Sequence, residues 1–201
     1  MNSNGEHKHR ILRGLNLGGV DWAPRAMRIA FVRGDFPTTL LVHSLRTGRS
    51  RRLTGDFALP SHPRWSPNGK RILFEASTSR TNETEDLYTI RPNGTGLRNL
   101  TSTPRVAEFS ADWSPAGKRI VYARGGGRVC QALHVMRSDG TGDRRIPRTC
   151  KGDSPSWSPS GRRIVYSPLA VRFGVSHLVV VALNGTDKHV VTDGRGPDWR
   201  P

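Results

Sequence analysis

His62-Pro-Arg-Trp65-Ser-Pro-Asn-Gly69-Lys-Arg71 is the clearest of several near-copies of one phrase in this 201-residue chain. All five tryptophans lie in versions of it, namely Trp22-Ala-Pro24, Trp65-Ser-Pro67, Trp113-Ser-Pro115, Trp157-Ser-Pro159 and Trp199-Arg-Pro201. Successive tryptophans are separated by 42 to 48 residues. A repeat period of this size indicates one supersecondary unit stacked on copies of itself.

The unit from residue 62 to residue 101 predicts four short strands joined by tight turns. Ser66-Pro67-Asn68-Gly69 is turn chemistry, because proline presets φ and Asn-Gly tolerates positive φ. Asn93-Gly94-Thr95-Gly96 predicts a second hairpin turn. Four strands at this period match a propeller blade, which has about 40–45 residues. The predicted fold class is therefore an all-β propeller with about four complete antiparallel four-stranded blades and the tryptophan strand innermost.

Two lone strands complete the predicted architecture. Ile11 and Leu12 precede the first phrase much as Leu53 precedes the second, so residues 9–13 predict a lone outer strand. Asp198-Trp199 predicts a lone inner strand at the other end. The predicted domains are a tail with the lone outer strand and a propeller, residues 1–19 and 20–201. Three arrangements stay open: a four-bladed ring, a ring completed by another chain, and a truncated reading frame.

The repeated phrase, with its Ser-Pro-Asn-Gly-Lys turn, resembles the WD40-like PD40 repeat of TolB-like propellers. Leu53-Thr54 and Leu100-Thr101 match the Leu-Thr that ends a blade in that family, and residues 197–201 resemble its closing segment. The likeness covers residues 20–201. TolB-like propellers usually have six blades and an N-terminal α/β domain, and this sequence departs from both features. The resemblance implies a non-enzymatic scaffold that binds a protein or peptide partner, such as a peptidoglycan-associated lipoprotein of the cell envelope.

The cysteines bear on the compartment. Cys130 and Cys150 lie at nearly equal distances from the turn at Asp139-Gly140, so we expect them to face each other on neighbouring strands. Directly opposed Cβ atoms are about 4.5–5.5 Å apart, near what a disulfide needs. The alternative is two reduced cysteines that align. A disulfide favours an oxidising compartment and the resemblance implies export, so the predicted location is periplasmic or extracellular. The N-terminus shows no signal-peptide apolar region, so the cytoplasm is the alternative.

The formal net charge of +16 allows a second function. Basic residues recur at repeat positions, namely Lys70-Arg71, Lys118-Arg119, Arg162-Arg163, Arg51-Arg52, Arg98 and Arg144-Arg145. Repetition around a ring predicts a distributed field rather than one patch. A nucleic acid, an acidic polymer or a phospholipid surface would fit such a field. The competing interpretation is an ordinary solvated surface. The sequence contains no run of about 18 apolar residues, so it predicts no transmembrane helix.

An enzyme is the weakest of the three interpretations. The sequence contains no Gly-x-Ser-x-Gly elbow and no phosphate-binding loop, although a propeller hydrolase or lyase fragment stays a candidate. His43, His134 and His177 fall on different repeat registers and so predict no shared metal site. We therefore predict no catalytic residue, no cofactor and no metal.

The repeat also predicts roles for its tryptophans and aspartates. Trp22, Trp65, Trp113, Trp157 and Trp199 should fill the wedges between blades, with a sugar- or base-stacking platform as the alternative. An aspartate precedes three of them, as Asp21, Asp112 and Asp198. Strand alternation points these carboxylates away from the rings and toward a central channel, where they are candidate contacts for a partner. The alternative is a hydrogen bond to a neighbouring turn amide.

Overall fold

The computed structural model describes residues 11–12, 17–34, 37–55, 59–77, 84–126, 129–168 and 177–193. They form sixteen strands in four antiparallel sheets, and the strands of each sheet follow chain order. Each sheet is one blade, which confirms the predicted fold class.

The strand bounds follow the repeat. The first blade contains β1 (Leu17–Trp22), β2 (Arg28–Arg33), β3 (Thr39–Ser44) and β4 (Ser50–Arg52). The second contains β5 (Leu59–Trp65), β6 (Ile72–Ser77), β7 (Asp86–Ile90) and β8 (Arg98–Asn99). The third contains β9 (Ala107–Trp113), β10 (Arg119–Gly126), β11 (Val129–Arg137) and β12 (Arg144–Arg145). The fourth contains β13 (Gly152–Trp157), β14 (Arg163–Pro168), β15 (His177–Ala182) and β16 (His189–Asp193).

The Trp-Ser-Pro-x-Gly phrase folds as the turn between the first two strands of a blade. In the second blade the Ser66 amide donates to the Arg71 carbonyl oxygen at 2.9 Å, and the Gly69 amide donates to the Ser66 carbonyl oxygen at 2.8 Å. Gly69 has φ of +67° and lies against Pro24 of the first blade. The glycine therefore serves both the turn conformation and the packing of successive turns. The first blade lacks this glycine, and Arg25 adopts positive φ in its turn instead.

The Leu-Thr pairs extend the first two blades beyond their short outer strands. The Leu53 amide donates to the Leu40 carbonyl oxygen, and the Thr54 hydroxyl accepts a hydrogen bond from the Leu40 amide at 3.1 Å. The Thr101 hydroxyl likewise accepts a hydrogen bond from the Leu87 amide at 3.0 Å. The threonine side chain thus satisfies a strand amide that the outer strand itself does not reach.

Blade-to-blade packing forms the core. Trp65 of the second blade packs in one cluster with Ala30, Val32 and Val42 of the first blade. Trp157 of the fourth blade packs in the same way against residues of the third, including Val121. Among the described strands, no comparable packing joins the fourth blade to the first.

The tryptophans differ in burial according to their place in this series. Trp65, Trp113 and Trp157 are only 5%, 6% and 3% exposed. Trp22 is 59% exposed, so the predicted core role is wrong for this residue. The buried tryptophans pack on the preceding blade, and the first blade has no described predecessor. Trp199 lies outside the described residues.

The N-terminal strand prediction is corrected in its described part. Ile11 and Leu12 lie outside any strand. Leu12 nevertheless packs against Ile29, Phe31 and Leu41 of the first blade. It therefore contacts the first blade much as an outer-strand leucine contacts the blade that follows it. The predicted strand at Asp198-Trp199 lies outside the described residues.

Cys130 and Cys150 are joined by a disulfide, as predicted, with their Cα atoms 5.9 Å apart. The expected placement on facing strands is wrong. Cys130 lies on β11, whereas Cys150 lies in the link between β12 and β13. The bond therefore fastens the third blade to the connection that leads into the fourth.

Candidate interaction surface

The inner strands share a bulge at one repeat position, three residues before the tryptophan. Gly19, His62, Ser110 and Ser154 occupy it, with φ values of +43°, +44°, +53° and +47°. The pairing register of each inner strand with the next strand shifts beside this residue. A bulge bends a strand and redirects its side chains, so the four bulges shape the wall along the inner strands. This position was not predicted from the sequence, because its residue type varies and only its constant offset from tryptophan marks it.

Two carboxylates connect successive bulges. Glu75 Oε1 accepts a hydrogen bond from the Ser110 amide of the next blade at 2.6 Å, and Glu75 Oε2 lies 2.9 Å from His62 Nδ1. Asp153 Oδ1 accepts from the Ser154 amide at 2.6 Å and from Ser110 Oγ at 3.3 Å. The hydrogen bond to Glu75 raises the pKa of His62, whose side chain is 71% exposed. The bulges are thus fixed by acidic groups, and His62 presents a titratable ring to solvent.

A second row lies one residue before the tryptophans and contains Asp21, Arg64, Asp112 and Ser156. Asp21 Oδ2 accepts from the Trp65 amide at 2.6 Å, and Asp112 Oδ2 accepts from the Trp157 amide at 3.1 Å. Burial raises the pKa of both carboxyls, and the Arg64 charge offsets part of the shift.

Each described aspartate of this row therefore links its own blade to the inner strand of the next. The acceptor is a strand carboxylate and the donor is a tryptophan amide, rather than the turn amide of the alternative interpretation. Contact of Asp21 and Asp112 with a partner stays a prediction. Asp198 lies outside the described residues.

A charge network that runs from the interior to the surface supports the third blade. Glu108 is fully buried and accepts a hydrogen bond from Thr103 Oγ1 at 2.5 Å. Arg124 Nε lies 3.2 Å from Glu108, and Arg124 Nη1 lies 2.7 Å from Asp143, which also accepts from the Tyr122 hydroxyl. Burial raises the pKa of Glu108 to about 7. Glu108 therefore titrates near neutral pH while it is enclosed in the fold.

The histidines singled out from the sequence do not meet. His43 Nδ1 bonds Ser50 Oγ at 3.0 Å in the first blade, and His134 Nδ1 lies 3.0 Å from Asp143 in the third. His177 begins β15 in the fourth blade. The described residues contain no group of three or more His, Cys, Asp or Glu side chains that could hold a metal ion. They also contain no helix that could cross a membrane.

The family profile of the TolB β-propeller domain, PD40, matches residues 8–201. The chain belongs to this family. The crystal structure of TolB from Acinetobacter baumannii superimposes on the PD40 chain with a TM-score of 0.72 at 20% identity, covering 92% of this chain and 45% of that one. An oligogalacturonate lyase in complex with manganese shares the fold with a TM-score of 0.68 at 16% identity, covering 83% of this chain and 50% of that one.

Curated relatives of this PD40 chain include the Tol-Pal system protein TolB of Anaeromyxobacter dehalogenans. It is 32% identical over 122 residues, which are 60% of this chain and 27% of the relative. An uncharacterized peptidase of Bacillus subtilis, YuxL, is 25% identical over 114 residues, which are 53% of this chain and 17% of the relative. The chain thus spans about a quarter or less of these two relatives.

Proposed function

We propose that this chain is a non-enzymatic scaffold that binds a protein or peptide partner of the cell envelope along the wall formed by its inner strands. The observation that carries the proposal is the pair of polar rows three residues and one residue before the tryptophans. Arg64 and His62 are exposed within these rows, and the carboxylates beside them are held by neighbouring blades. A rigid wall with fixed donors and acceptors suits recognition of a peptide backbone or a polar loop.

The proposal that this scaffold is non-enzymatic is supported by the use of its acidic groups. Asp21, Asp112, Glu75 and Asp153 each accept at least one backbone amide. Carboxylates fixed in this way stabilise the fold, whereas a hydrolase or lyase needs carboxylates that are free to transfer protons. The peptidase and lyase relatives share the fold and carry no residue role over to this chain.

A location in the cell envelope is supported by two observations. The relative from Anaeromyxobacter dehalogenans is a Tol-Pal system protein. The Cys130–Cys150 disulfide fits an oxidising compartment, since reducing compartments seldom retain such bonds. The proposed location is therefore the periplasm or the extracellular space.

The test is affinity capture from a nuclease-treated envelope extract. Retention should be compared at about 0.15 M and about 1 M salt, where the Debye length falls from about 8 Å to about 3 Å. Arg64→Ala removes an exposed side chain from the wall, whereas Arg46→Ala removes the same charge from the turn between β3 and β4. We expect a protein retained at both salt concentrations, lost with Arg64→Ala and kept with Arg46→Ala. Retention that is lost after nuclease treatment or at high salt would contradict the proposal. Equal retention by the wild type and Arg64→Ala would also contradict it.

A further inference from the structure

The antiparallel order of the strands places two turns of each blade at one end, and these turns are rich in basic residues. The turn between the first and second strands of each blade and the turn between its third and fourth strands lie at the same end; these eight turns are named the turn face. The turn face contains three aspartates and nine basic residues, which are Arg25, Arg46, Arg49, Lys70, Arg71, Arg91, Lys118, Arg162 and Lys188. These nine basic residues come from all four blades.

Several acidic groups lie in the other half of the blades. Glu75 pairs with Ser61 near the start of β5, Glu108 lies near the start of β9, and Asp153 lies near the start of β13. Inner strands run toward the turn face, so these carboxylates are at the far end. Arg105, Arg148 and Lys151 are exposed basic residues in links outside the turn face. Among the described residues the turns still carry an excess of positive charge, and an anionic partner is drawn to the turn face.

A cationic cleft on this face lies between the second and third blades. It has a volume of about 270 Å³, and its lining includes three cations, Lys70, Arg71 and Arg98, together with Trp113 and one carboxylate, Asp139. Arg71 Nη1 donates to the Gly96 carbonyl oxygen at 3.2 Å. Partial burial, and after it the charges of Arg91 and Arg98, lower the pKa of Arg71. The cleft therefore brings like charges close together.

The fourth blade shows an ion pair that Arg71 does not form within the described residues. There Arg163, at the repeat position of Arg71, pairs with Asp187 at 2.5 Å. The turn residue of the second blade that corresponds to Asp187 is Gly96. Among the described residues, no carboxylate forms an ion pair with Arg71. An external anion in the cleft would replace the missing carboxylate, and the planar guanidinium is well suited to a phosphate.

Exposed apolar residues accompany these charges. Met27, in the turn between β1 and β2, is 64% exposed, and Leu97, in the turn between β7 and β8, is 37% exposed. Trp113 is the aromatic residue that lines the cleft, and at 6% exposure it offers no base-stacking surface. Basic residues interspersed with apolar tips favour a lipid headgroup layer over a single-stranded nucleic acid, which binds by stacking on aromatic rings.

We propose that the turn face docks on an anionic phospholipid surface, with the Arg71 cleft receiving a lipid phosphate and with Met27 and Leu97 reaching the headgroup layer. Eight short turns at one end of the blades present their charges side by side to a flat surface. A linear polymer would meet only the charges along its path. Each basic residue near an anionic bilayer strengthens binding by about fivefold.

The test is co-sedimentation of the full chain with large unilamellar vesicles, either of phosphatidylcholine alone or with about one-third phosphatidylglycerol. The face variant is Arg71→Gln with Arg98→Gln. Its matched control is Arg105→Gln with Lys151→Gln, which removes the same charge from exposed links at the opposite end. Circular dichroism and thermal unfolding of each variant verify folding.

We expect binding to the anionic vesicles only, weakened about 25-fold by the face variant and at most about fivefold by the control. Met27→Ser with Leu97→Ser should weaken binding further at high salt. Binding to both vesicle types alike, or equal losses in the two charge variants, would overturn the proposal. A DNA duplex that binds more tightly than the anionic vesicles would assign the face to nucleic acid instead. Inorganic phosphate that abolishes vesicle binding at millimolar concentration would reduce the cleft to a free-phosphate site.

Discussion

Replacing a buried and an exposed tryptophan of the same repeat position tests how the blades are held together. Trp113 is 6% exposed and its indole N–H donates to the Arg64 carbonyl oxygen of the preceding blade at 3.2 Å. Trp22 holds the same position in the first blade and is 59% exposed. Both are changed to alanine, so the chemistry of the substitution is identical and only the environment differs.

The expected magnitudes follow from burial. A tryptophan side chain offers about 240 Å² of surface. Trp113 buries about 225 Å² of it and Trp22 about 100 Å², which at about 25 cal/mol per Å² is worth about 5.5 and about 2.5 kcal/mol. The Cβ that alanine retains and the residual compactness of the unfolded chain reduce these values to about 4 and about 1 kcal/mol. The difference is about 3 kcal/mol, or about 6–12 °C in Tm.

The assay is urea unfolding of both variants and the wild type, monitored by tryptophan fluorescence and far-UV circular dichroism. Coincident transitions and unchanged slopes with urea concentration verify that the free energies of unfolding are comparable. A Trp113→Ala cost below about 1 kcal/mol, or equal costs for the two variants, would show that the tryptophans do not secure one blade on the next.

Three further perturbations test the links described above. Cys130→Ala with Cys150→Ala opens a loop with a sequence separation of 20 and should lower the free energy of unfolding by about 3 kcal/mol. Reduction of the wild-type disulfide should have the same effect, measured by urea unfolding with and without reductant. Asp112→Ala leaves the Trp157 amide without its acceptor and should lower the free energy of unfolding by about 1–3 kcal/mol. Asp112→Asn should lower it less, because the asparagine amide oxygen can still accept this hydrogen bond. Equal losses in the two variants would contradict the role of Asp112 in linking the blades. The folded pKa of Glu108, about 7, exceeds its unfolded value, so its contribution to stability is complete below about pH 4 and is lost as the pH rises through 7. Relative to Glu108→Gln, the wild type should therefore lose about 2–3 kcal/mol between about pH 4.5 and about pH 7.5, and parallel pH profiles would contradict this assignment.

Local turn chemistry made the blades predictable from sequence. Ser-Pro-x-Gly and Asn-Gly-Thr fix tight turns through backbone preferences that depend little on tertiary context. The period between tryptophans then determines how many strands each unit contains. The exposure of Trp22 was beyond this reasoning, because burial of a repeat residue depends on the neighbouring unit and not on its own sequence.

The placement of the disulfide shows a second limit. The expectation that Cys130 faces Cys150 across paired strands assumed a long fourth strand, whereas β12 contains only Arg144 and Arg145. Pro147 and Arg148 separate Ile146 from Thr149, where the first two blades have Leu-Thr without an insertion. Thr149 Oγ1 still accepts a hydrogen bond from the Leu133 amide at 3.1 Å. The insertion therefore lies in the link between β12 and β13, which also contains Cys150.

The polar wall was only partly predictable. Asp21 and Asp112 were recognised from their place before tryptophan, but their bonds to the next blade depend on how blades stack. The bulge at His62 and Ser110 follows from a register shift that no local motif encodes. Antiparallel topology, in contrast, places both kinds of turn at one end of each blade, so the grouping of their basic residues could be read from the sequence once the strands were assigned.

Photo-crosslinking at the inner wall tests the proposed scaffold most directly. A photoreactive amino acid replaces Arg64, which lies between Asp21 and Asp112 on the wall, and in a second protein it replaces Arg46 in the turn between β3 and β4. Both proteins are irradiated in a nuclease-treated envelope extract and analysed by gel electrophoresis and mass spectrometry. A discrete protein adduct at position 64 and none at position 46 is the predicted result. No adduct at position 64, or the same adducts at both positions, would contradict a partner site on the inner wall.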